Sequence, residues 1–260
     1  MYLHRFKMPG QNESSTDFSC ATSTNTVYWY SLPIGPVWLH TWSTEHSYAP
    51  GSPQRAWIER DLAAAQAAKA AGRVSWIIVE MHYPSYCSHS YNGGGGCITD
   101  APRMRAELEA LWLAAGVDAV LFGHIHAAEV VRGAPAAAVP PRSPAPSSPP
   151  PPPLPRPAHP RAPLPSLKPP PHLQTWPVFN ATVQQTSFVN PKAPVHFLIG
   201  MAGAGYLGPW QPAVPAWSAW RNQVYGWTRW HVEGGKSLSF FFYSYLNSTA
   251  PNWEMTITRE

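Results

Sequence analysis

Three histidines occupy positions from which imidazole could take part in metal or acid–base chemistry. His82 ends the segment Val-Glu-Met-His after an apolar run, and Phe-Gly-His-Ile-His places His124 and His126 after a second apolar run. Imidazole nitrogen is a ligand for zinc, copper, iron and nickel. A lone histidine at such a position is more often a buried, hydrogen-bonded residue. A His-x-His pair after a glycine, together with another strand-end histidine, favours a metal site.

The spacing of these histidines predicts that their side chains converge. Residues two apart on an extended backbone point to the same side, so His124 and His126 would face one crevice. His82 would join them there, because ligands of open α/β sheets bind beyond the carboxyl ends of the strands. Such a site could hold one divalent ion with water in the fourth position. In the competing arrangement the chain turns between His124 and His126, or His82 points into the core.

The elements that must position the histidines follow from the apolar periodicity of residues 1–132, which we interpret as a partial α/β catalytic domain. Apolar runs and alternation predict strands at residues 27–32, 37–41, 74–80 and 117–122. Helical spacing predicts helices at residues 54–70 and 102–114. This order predicts that 74–80 and 117–122 are neighbouring core strands, with helix 54–70 packed on their sheet.

Proline separates this part from the rest of the chain. Of the 32 prolines, 18 fall between residues 133 and 171, including an unbroken run from 149 to 153. We interpret residues 133–173 as a disordered, polyproline-type insertion. It is either a solvated low-complexity loop or a segment that docks an SH3- or WW-type partner. Residues 174–260 would complete the domain with a small set of antiparallel strands at residues 195–199, 225–232, 238–245 and 253–258.

Composition excludes two classes of partner. The net charge of +4 is spread along the chain without a Lys/Arg run, which argues against nucleic acid. No apolar run approaches the roughly 20 residues of a membrane-spanning helix.

Cysteines and glycosylation sequons indicate whether the protein is secreted. Cys87 and Cys97 bracket a glycine-rich loop and are either a short disulfide or two free thiols. Asn12, Asn180 and Asn247 begin Asn-x-Ser/Thr sequons, candidate glycosylation sites that favour a secreted protein. The first ten residues lack the apolar region of a signal peptide, so we expect none in this chain.

Several of these segments together resemble the purple acid phosphatases, which are binuclear metallophosphoesterases. The last two metal motifs of that family, Val-x-x-His and Gly-His-x-His, match residues 79–82 and 123–126. Residues 5–9, 29–31, 43–45, 54–62 and 117–118 have counterparts in the same order, as do residues 193–196, 200–205 and 217–219. The Tyr-Cys-Ser at 86–88 followed by Cys97 is similar to the animal-like and fungal-like branch.

The resemblance implies a fold, an activity and a ligand set. The fold would be part of an α/β sandwich of mixed sheets flanked by helices, interrupted by the proline-rich insertion. The activity would be hydrolysis of phosphomonoesters at Fe(III) and a divalent metal (Zn, Mn or Fe), in a secreted, extracellular or vacuolar protein. His82 and His124 would bind the divalent metal and His126 the iron. Cys87 and Cys97 would be paired.

Departures from the family pattern shape the expected activity. The first three metal motifs, which include the bridging Asp, would lie upstream of Met1, so we expect a chain truncated at its N-terminus that holds at most one divalent ion and is inactive. Asp100 stands where many members have a histidine, and Ala-Glu-Val at 128–130 replaces Tyr-Glu-Arg. No catalytic residue is assigned. The alternative is a non-catalytic, degenerate phosphatase whose polyproline insertion recruits partners.

Overall fold

The computed structural model describes residues 28–131, 187–205, 208–246 and 248–260. The proline-rich residues 133–173 and the sequon asparagines Asn12, Asn180 and Asn247 lie outside these ranges. The predictions made for them therefore stay predictions.

Two helices and eleven strands make up the described part. The helices are α1 (Pro53–Ala70) and α2 (Asp100–Ala115). The strands are β1 (Tyr30–Ile34), β2 (Val37–Thr41), β3 (Trp76–Met81), β4 (Ala119–Phe122), β5 (Ala128–Val131), β6 (Ser187–Val189), β7 (Val195–Ile199), β8 (Ser218–Asn222), β9 (Gly226–Glu233), β10 (Ser237–Ser244) and β11 (Trp253–Thr258). They form a seven-stranded sheet in the order β1-β2-β3-β4-β7-β5-β8 and a four-stranded sheet in the order β6-β11-β10-β9. The chain is therefore a mixed α/β protein, as its sequence pattern predicted.

The parallel centre of the large sheet agrees with the sequence prediction. β3 pairs in parallel with β2 on one side and β4 on the other. Helix α1 packs against β2, β3 and α2. Ser52 caps its start, because the Ser52 hydroxyl accepts a hydrogen bond from the Arg55 amide, and Pro53 then stands at a position where a missing N–H costs nothing. None of the helices in the described ranges is long and apolar enough to cross a membrane.

The core has two layers because β3 is apolar on both faces. One layer lies between the large sheet and the helices, and includes Trp57, Ile77, Val79, Leu108 and Val120. The other lies between the two sheets and includes Trp76, Ile78, Phe197, Phe240 and Trp253. A strand covered on both faces has a continuous apolar sequence, and residues 74–80 have this pattern.

The prediction for residues 195–199 was wrong in one respect. They form β7, which does not join the antiparallel set but pairs in parallel with β4 and antiparallel with β5, at the centre of the large sheet. Four of its five residues are buried, which suits a central strand covered on both faces. The sheet therefore combines β-strands from both sides of residues 132–186.

Three strands were not predicted from the sequence. β5 and β6 have only four and three residues, too few for a period to emerge. β8 carries Arg221 and Asn222 at its end, which breaks the apolar pattern expected of a strand.

Candidate metal centre

Both histidine segments lie at the carboxyl edge of the large sheet. His82 directly follows β3, and residues 123–127 follow β4, the parallel neighbour of β3. The amide of Gly123 donates to the His82 carbonyl at 3.0 Å, which joins the two segments where the strands end. Parallel pairing therefore brings two sequence-distant histidines to one place, as the strand order predicted.

His82 and His124 are the pair that the structure brings together. His82 Nε2 lies 3.1 Å from His124 Nδ1, and the rings are nearly perpendicular, with centroids 4.9 Å apart. His124 Nε2 lies 2.7 Å from the Gly94 carbonyl oxygen, which can only accept a hydrogen bond. The proton of a neutral His124 ring is therefore on Nε2, and its Nδ1 presents a lone pair to His82.

The backbone around His124 differs from the extended chain that the sequence predicted. His124 has φ 65°, in the left-handed region that β-carbon contacts disfavour. Ile125 N donates to Gly123 O at 2.8 Å, and Ala127 N donates to Ile125 O at 2.7 Å, so the chain makes two successive tight turns. Strained backbone of this kind concentrates at functional sites, where the surrounding structure holds it.

His126 has a hydrogen-bonding partner of its own. Its Nδ1 donates to the Gly205 carbonyl, which places the lone pair of a neutral ring on Nε2. Among the described residues, no group of three or more His, Cys, Asp or Glu side chains is arranged to hold a metal ion. The site as folded is thus a close pair, His82 and His124, with His126 nearby but separately anchored.

Two tyrosines and a glutamate surround the pair, and sequence reasoning missed all three. The Tyr83 and Tyr91 rings lie 4.6 Å and 5.6 Å from the His124 ring, centroid to centroid. The Tyr83 hydroxyl donates to Glu45 at 3.0 Å. Burial and the Glu45 bond raise the pKa of Tyr83 to about 12, so the phenol stays protonated. The only sequence signal was that Tyr83 directly follows His82.

Electrostatics around His124 favour its neutral form. Burial lowers the pKa of His124, and the neighbouring His82 lowers it further, whereas the Gly94 carbonyl and Glu45 act in the opposite direction. A neutral imidazole is the form that binds a metal ion.

A disulfide closes the loop that contacts His124. Cys87 and Cys97 are bonded, with 5.3 Å between their Cα atoms. The loop between them carries Gly94, whose carbonyl meets the His124 ring, and Gly95, whose amide donates to Asp100. The loop is therefore tied at its ends and in its interior.

Three other histidines have structural partners. His40 lies 2.5 Å from the Asp61 carboxylate, His89 Nε2 donates to the Gly208 carbonyl at 2.7 Å, and His196 Nδ1 lies 3.0 Å from Ser85 Oγ. All three are fully buried. Their contacts are those of structural residues.

The residues present suit one divalent ion at the pair. Two imidazole nitrogens that bind the same tetrahedral zinc lie about 3.3 Å apart, given zinc–nitrogen distances of about 2.0–2.1 Å. The 3.1 Å between His82 Nε2 and His124 Nδ1 is close to that separation. Two lone pairs cannot face each other at this distance without a proton or a cation between them. The outward nitrogen of His124 is also hydrogen-bonded, as is typical of metal-binding histidines.

Comparison with known sequences relates the chain to iron/zinc phosphatases. Residues 193–250 match the family model described as iron/zinc purple acid phosphatase-like protein C. Human acid phosphatase type 7 is 28% identical over 252 residues, covering 90% of this chain and 44% of that protein. The Fe(3+)-Zn(2+) purple acid phosphatase 12 of Arabidopsis thaliana is 26% identical over 121 residues, covering 46% of this chain and 24% of that protein.

Comparison with solved structures also relates the chain to a purple acid phosphatase. A purple acid phosphatase from yellow lupin (Lupinus luteus) seeds superposes with a TM-score of 0.62 at 19% identity, covering 89% of this chain and 33% of that one. The two chains share the fold. The present chain spans less than half the length of each of these three proteins.

Proposed function

Because this chain is a relative of the purple acid phosphatases, we propose that its His82–His124 pair is the divalent-metal part of a centre that hydrolyses phosphomonoesters. The observation that carries the proposal is the 3.1 Å separation of His82 Nε2 and His124 Nδ1 at the carboxyl edge of the sheet. The hydrogen bond from His124 Nε2 to the Gly94 carbonyl also orients the ring, because it leaves the lone pair on Nδ1, the nitrogen that faces His82.

Each histidine has a separate task in this proposal. His82 and His124 bind the divalent ion (Zn, Mn or Fe), and His126, through Nε2, would bind Fe(III) only in a complete binuclear centre of the family's type. A bound ion of this kind polarises a phosphoryl oxygen and lowers the pKa of a bound water. Tyr83, held by Glu45 and protonated, packs against both imidazoles and limits their rotation.

The ligand set of this chain supports one ion rather than two. Imidazoles are neutral, and two cations a few ångströms apart need an anionic ligand between them. Within the described ranges no third His, Cys, Asp or Glu completes a metal-binding group with the pair. We therefore propose that these 260 residues hold one divalent ion and do not turn over substrate on their own.

The disulfide supports a proposal for the cellular location of the protein. Residues Cys87 and Cys97 form a disulfide, a bond that persists in oxidising compartments and is rare in the cytosol. This supports a secreted, extracellular or vacuolar location, the one proposed from the family resemblance.

Calorimetric titration of the 260-residue chain with Zn(II) tests the ion site. We expect one ion per chain, with binding lost in the His82→Ala/His124→Ala double variant. His231→Ala is the matched control, because His231 is exposed on β9 and its loss should leave the titration unchanged. Equal zinc binding by the double variant and the unaltered chain would reject the assignment.

Hydrolysis of an aryl phosphate in the presence of iron and zinc tests the activity. We expect no turnover by this chain. Turnover that disappears in His124→Ala would show instead that these residues form a complete catalytic centre. A folded chain that binds no zinc would favour the non-catalytic alternative.

A further inference from the structure

We propose that Asp100 is a positioning residue that sets the orientation and the protonated nitrogen of His124 through one peptide unit of the glycine loop. The reason for this positioning, which is that His124 binds a metal ion, rests on the proposed function. The positioning itself is a property of the chain and can be tested without metal.

The first link is the carbonyl of Gly94. It lies 2.7 Å from His124 Nε2, on the side of the ring opposite the nitrogen that faces His82. The place of this oxygen therefore decides which ring nitrogen carries the proton and where the other one points.

The second link is the amide of the same peptide unit. The Gly94 carbonyl and the Gly95 amide belong to one planar trans group, so they point in opposite directions. Gly95 N donates to the Asp100 carboxylate at 2.7 Å, and Gly96 N donates to the same oxygen at 3.3 Å. A carboxylate that fixes the N–H end of this peptide also fixes its C=O end, which is the end that meets His124.

The chain of bonds strengthens itself as well as orienting its members. A charged acceptor on the N–H of an amide polarises that amide and makes its oxygen a better acceptor. The hydrogen bonds run from the His124 ring to the Gly94–Gly95 peptide and from that peptide to the Asp100 carboxylate. Together they favour the tautomer in which His124 Nδ1 faces His82.

Glycine makes this anchor necessary. Residues 93–96 are four consecutive glycines, which have the largest conformational entropy to lose on folding. Gly95 has φ 75°, and a β-carbon there would lie 2.5 Å from the Tyr83 ring, so the loop needs glycine to pass over the site. The disulfide joins Cys87 and Cys97, which lie outside these four glycines, so it does not hold the glycine peptides themselves. Asp100 restrains the peptides that approach His124.

Asp100 also lies in the first turn of α2, where an acidic residue stabilises a helix. A purely helix-stabilising role is the competing explanation. The two roles differ in what they affect: helix stabilisation changes the melting temperature, whereas positioning changes the His124 ring.

Nitrogen-15 NMR of the histidine rings in the metal-free, full-length chain measures the tautomer directly. In the unaltered chain we expect the His124 proton on Nε2. In Asp100→Ala we expect a mixture of both tautomers. In Asp100→Asn, whose side-chain oxygen still accepts from Gly95 N, we expect the original tautomer to be retained. Thr99→Ala is the matched control, because Thr99 is exposed and its hydroxyl contacts Asn92 rather than the Gly94 peptide.

Zinc titration of the same variants gives a second readout. Loss of an outer hydrogen-bonding partner weakens metal binding by about 10–100-fold, and we expect that range for Asp100→Ala and a near-normal affinity for Asp100→Asn. Should Asp100→Ala not fold, Asp100→Ser replaces it, because serine suits a helix start but is too short to reach Gly95 N.

A folded Asp100→Ala or Asp100→Ser chain with an unchanged His124 tautomer would overturn the proposal, even if its melting temperature falls. Loss of the tautomer in Asp100→Asn would also overturn it. Absence of zinc binding by the unaltered chain would refute the proposed function, whereas the tautomer measurement would still decide the role of Asp100.

Discussion

Gly200 packs against the main chain of Ile125 so closely that a β-carbon on Gly200 would lie 2.0 Å from the Ile125 carbonyl oxygen. Ile125 is the residue between His124 and His126, and Gly200 follows the last residue of β7. The Gly200 amide also donates to the Ala127 carbonyl at 3.1 Å. The end of β7 therefore packs against the turn of residues 123–127, which carries His124 and His126.

We predict that Gly200→Ala displaces this turn. No real β-carbon tolerates a 2.0 Å contact with a backbone oxygen, so either the turn or the end of β7 must move. Overpacking of this kind costs about 1–3 kcal/mol of unfolding free energy. Urea unfolding should show that loss, and zinc affinity should fall with it because His124 moves relative to His82.

Gly123→Ala is the matched control for this prediction. Gly123 lies in the same turn, but a β-carbon there would meet no atom within 4 Å. Zinc affinity in this variant should stay close to that of the unaltered chain. Equal effects of the two substitutions would contradict the steric explanation.

We predict that Asp61→Ala is strongly destabilising. The nearly buried Asp61 carboxylate on α1 accepts hydrogen bonds from Ser31 Oγ at 2.5 Å and Trp38 Nε1 at 3.1 Å, and lies 2.5 Å from His40 Nδ1. Removing it leaves several polar groups of β1 and β2 without this acceptor. Unpartnered buried polar groups cost about 1–3 kcal/mol each, so we expect a total loss of about 2–4 kcal/mol.

Thermal and urea unfolding measure this loss. Arg60→Ala is the control, because Arg60 is the exposed neighbour on the same helix. A loss for Asp61→Ala no larger than the control would show that the carboxylate does not stabilise the sheet.

The apolar pattern was sufficient to predict β2 and the neighbouring strands β3 and β4. Residues 37–41 form β2 with the predicted bounds, residues 74–80 overlap β3 except for its last residue, and residues 117–122 contain the neighbouring strand β4. Continuous burial on both faces leaves an unbroken apolar run, which is a local property of the sequence. The placement of His82 and His124 at one sheet edge followed from the same runs.

What the sequence could not predict depends on contacts between distant segments. The parallel placement of β7 beside β4 is fixed by packing, since a five-residue apolar strand suits either sheet. The positive φ of His124 could not be predicted, because residues other than glycine adopt it uncommonly and nothing in the local sequence requires it. The Gly94 carbonyl beside His124 comes from a loop 30 residues away, and glycine carries no side-chain signal.

We predict that Glu129→Gln changes how stability depends on pH. Glu129 is fully buried, and its carboxylate accepts from Ser88 N at 2.8 Å, Ser88 Oγ at 2.6 Å and Ser218 Oγ at 2.5 Å. Burial raises the pKa of Glu129, although these bonds oppose the rise. The folded chain therefore keeps a proton on Glu129 at pH values where the unfolded chain has lost it.

The sign of the effect follows from this difference. The contribution of Glu129 is present below the unfolded pKa of about 4.5 and is lost as pH rises through the folded pKa. Glutamine does not titrate, so the stability of Glu129→Gln relative to the unaltered chain should increase between pH 4.5 and 7. Urea unfolding at several pH values measures it, with Glu254→Gln on the exposed surface of β11 as control. Parallel pH curves for Glu129→Gln and the unaltered chain would contradict the prediction.

We predict the opposite pH dependence for His196, a fully buried residue of β7 whose pKa burial and the nearby Arg105 guanidinium lower to about 3. The unfolded chain takes up a proton here below pH 6.5, whereas the folded chain does so only near pH 3. The stabilisation is therefore present above pH 6.5 and is lost as pH falls toward 3, at about 1.4 kcal/mol for each pH unit well inside that range.

His196→Asn keeps a group that can bond Ser85 Oγ but cannot take the proton. Measured in the Glu129→Gln background, which removes the opposing contribution, unfolding free energy should fall from pH 6.5 to pH 5 when His196 is present. It should fall much less in the double variant Glu129→Gln/His196→Asn, and equal slopes for the two chains would refute the role of His196.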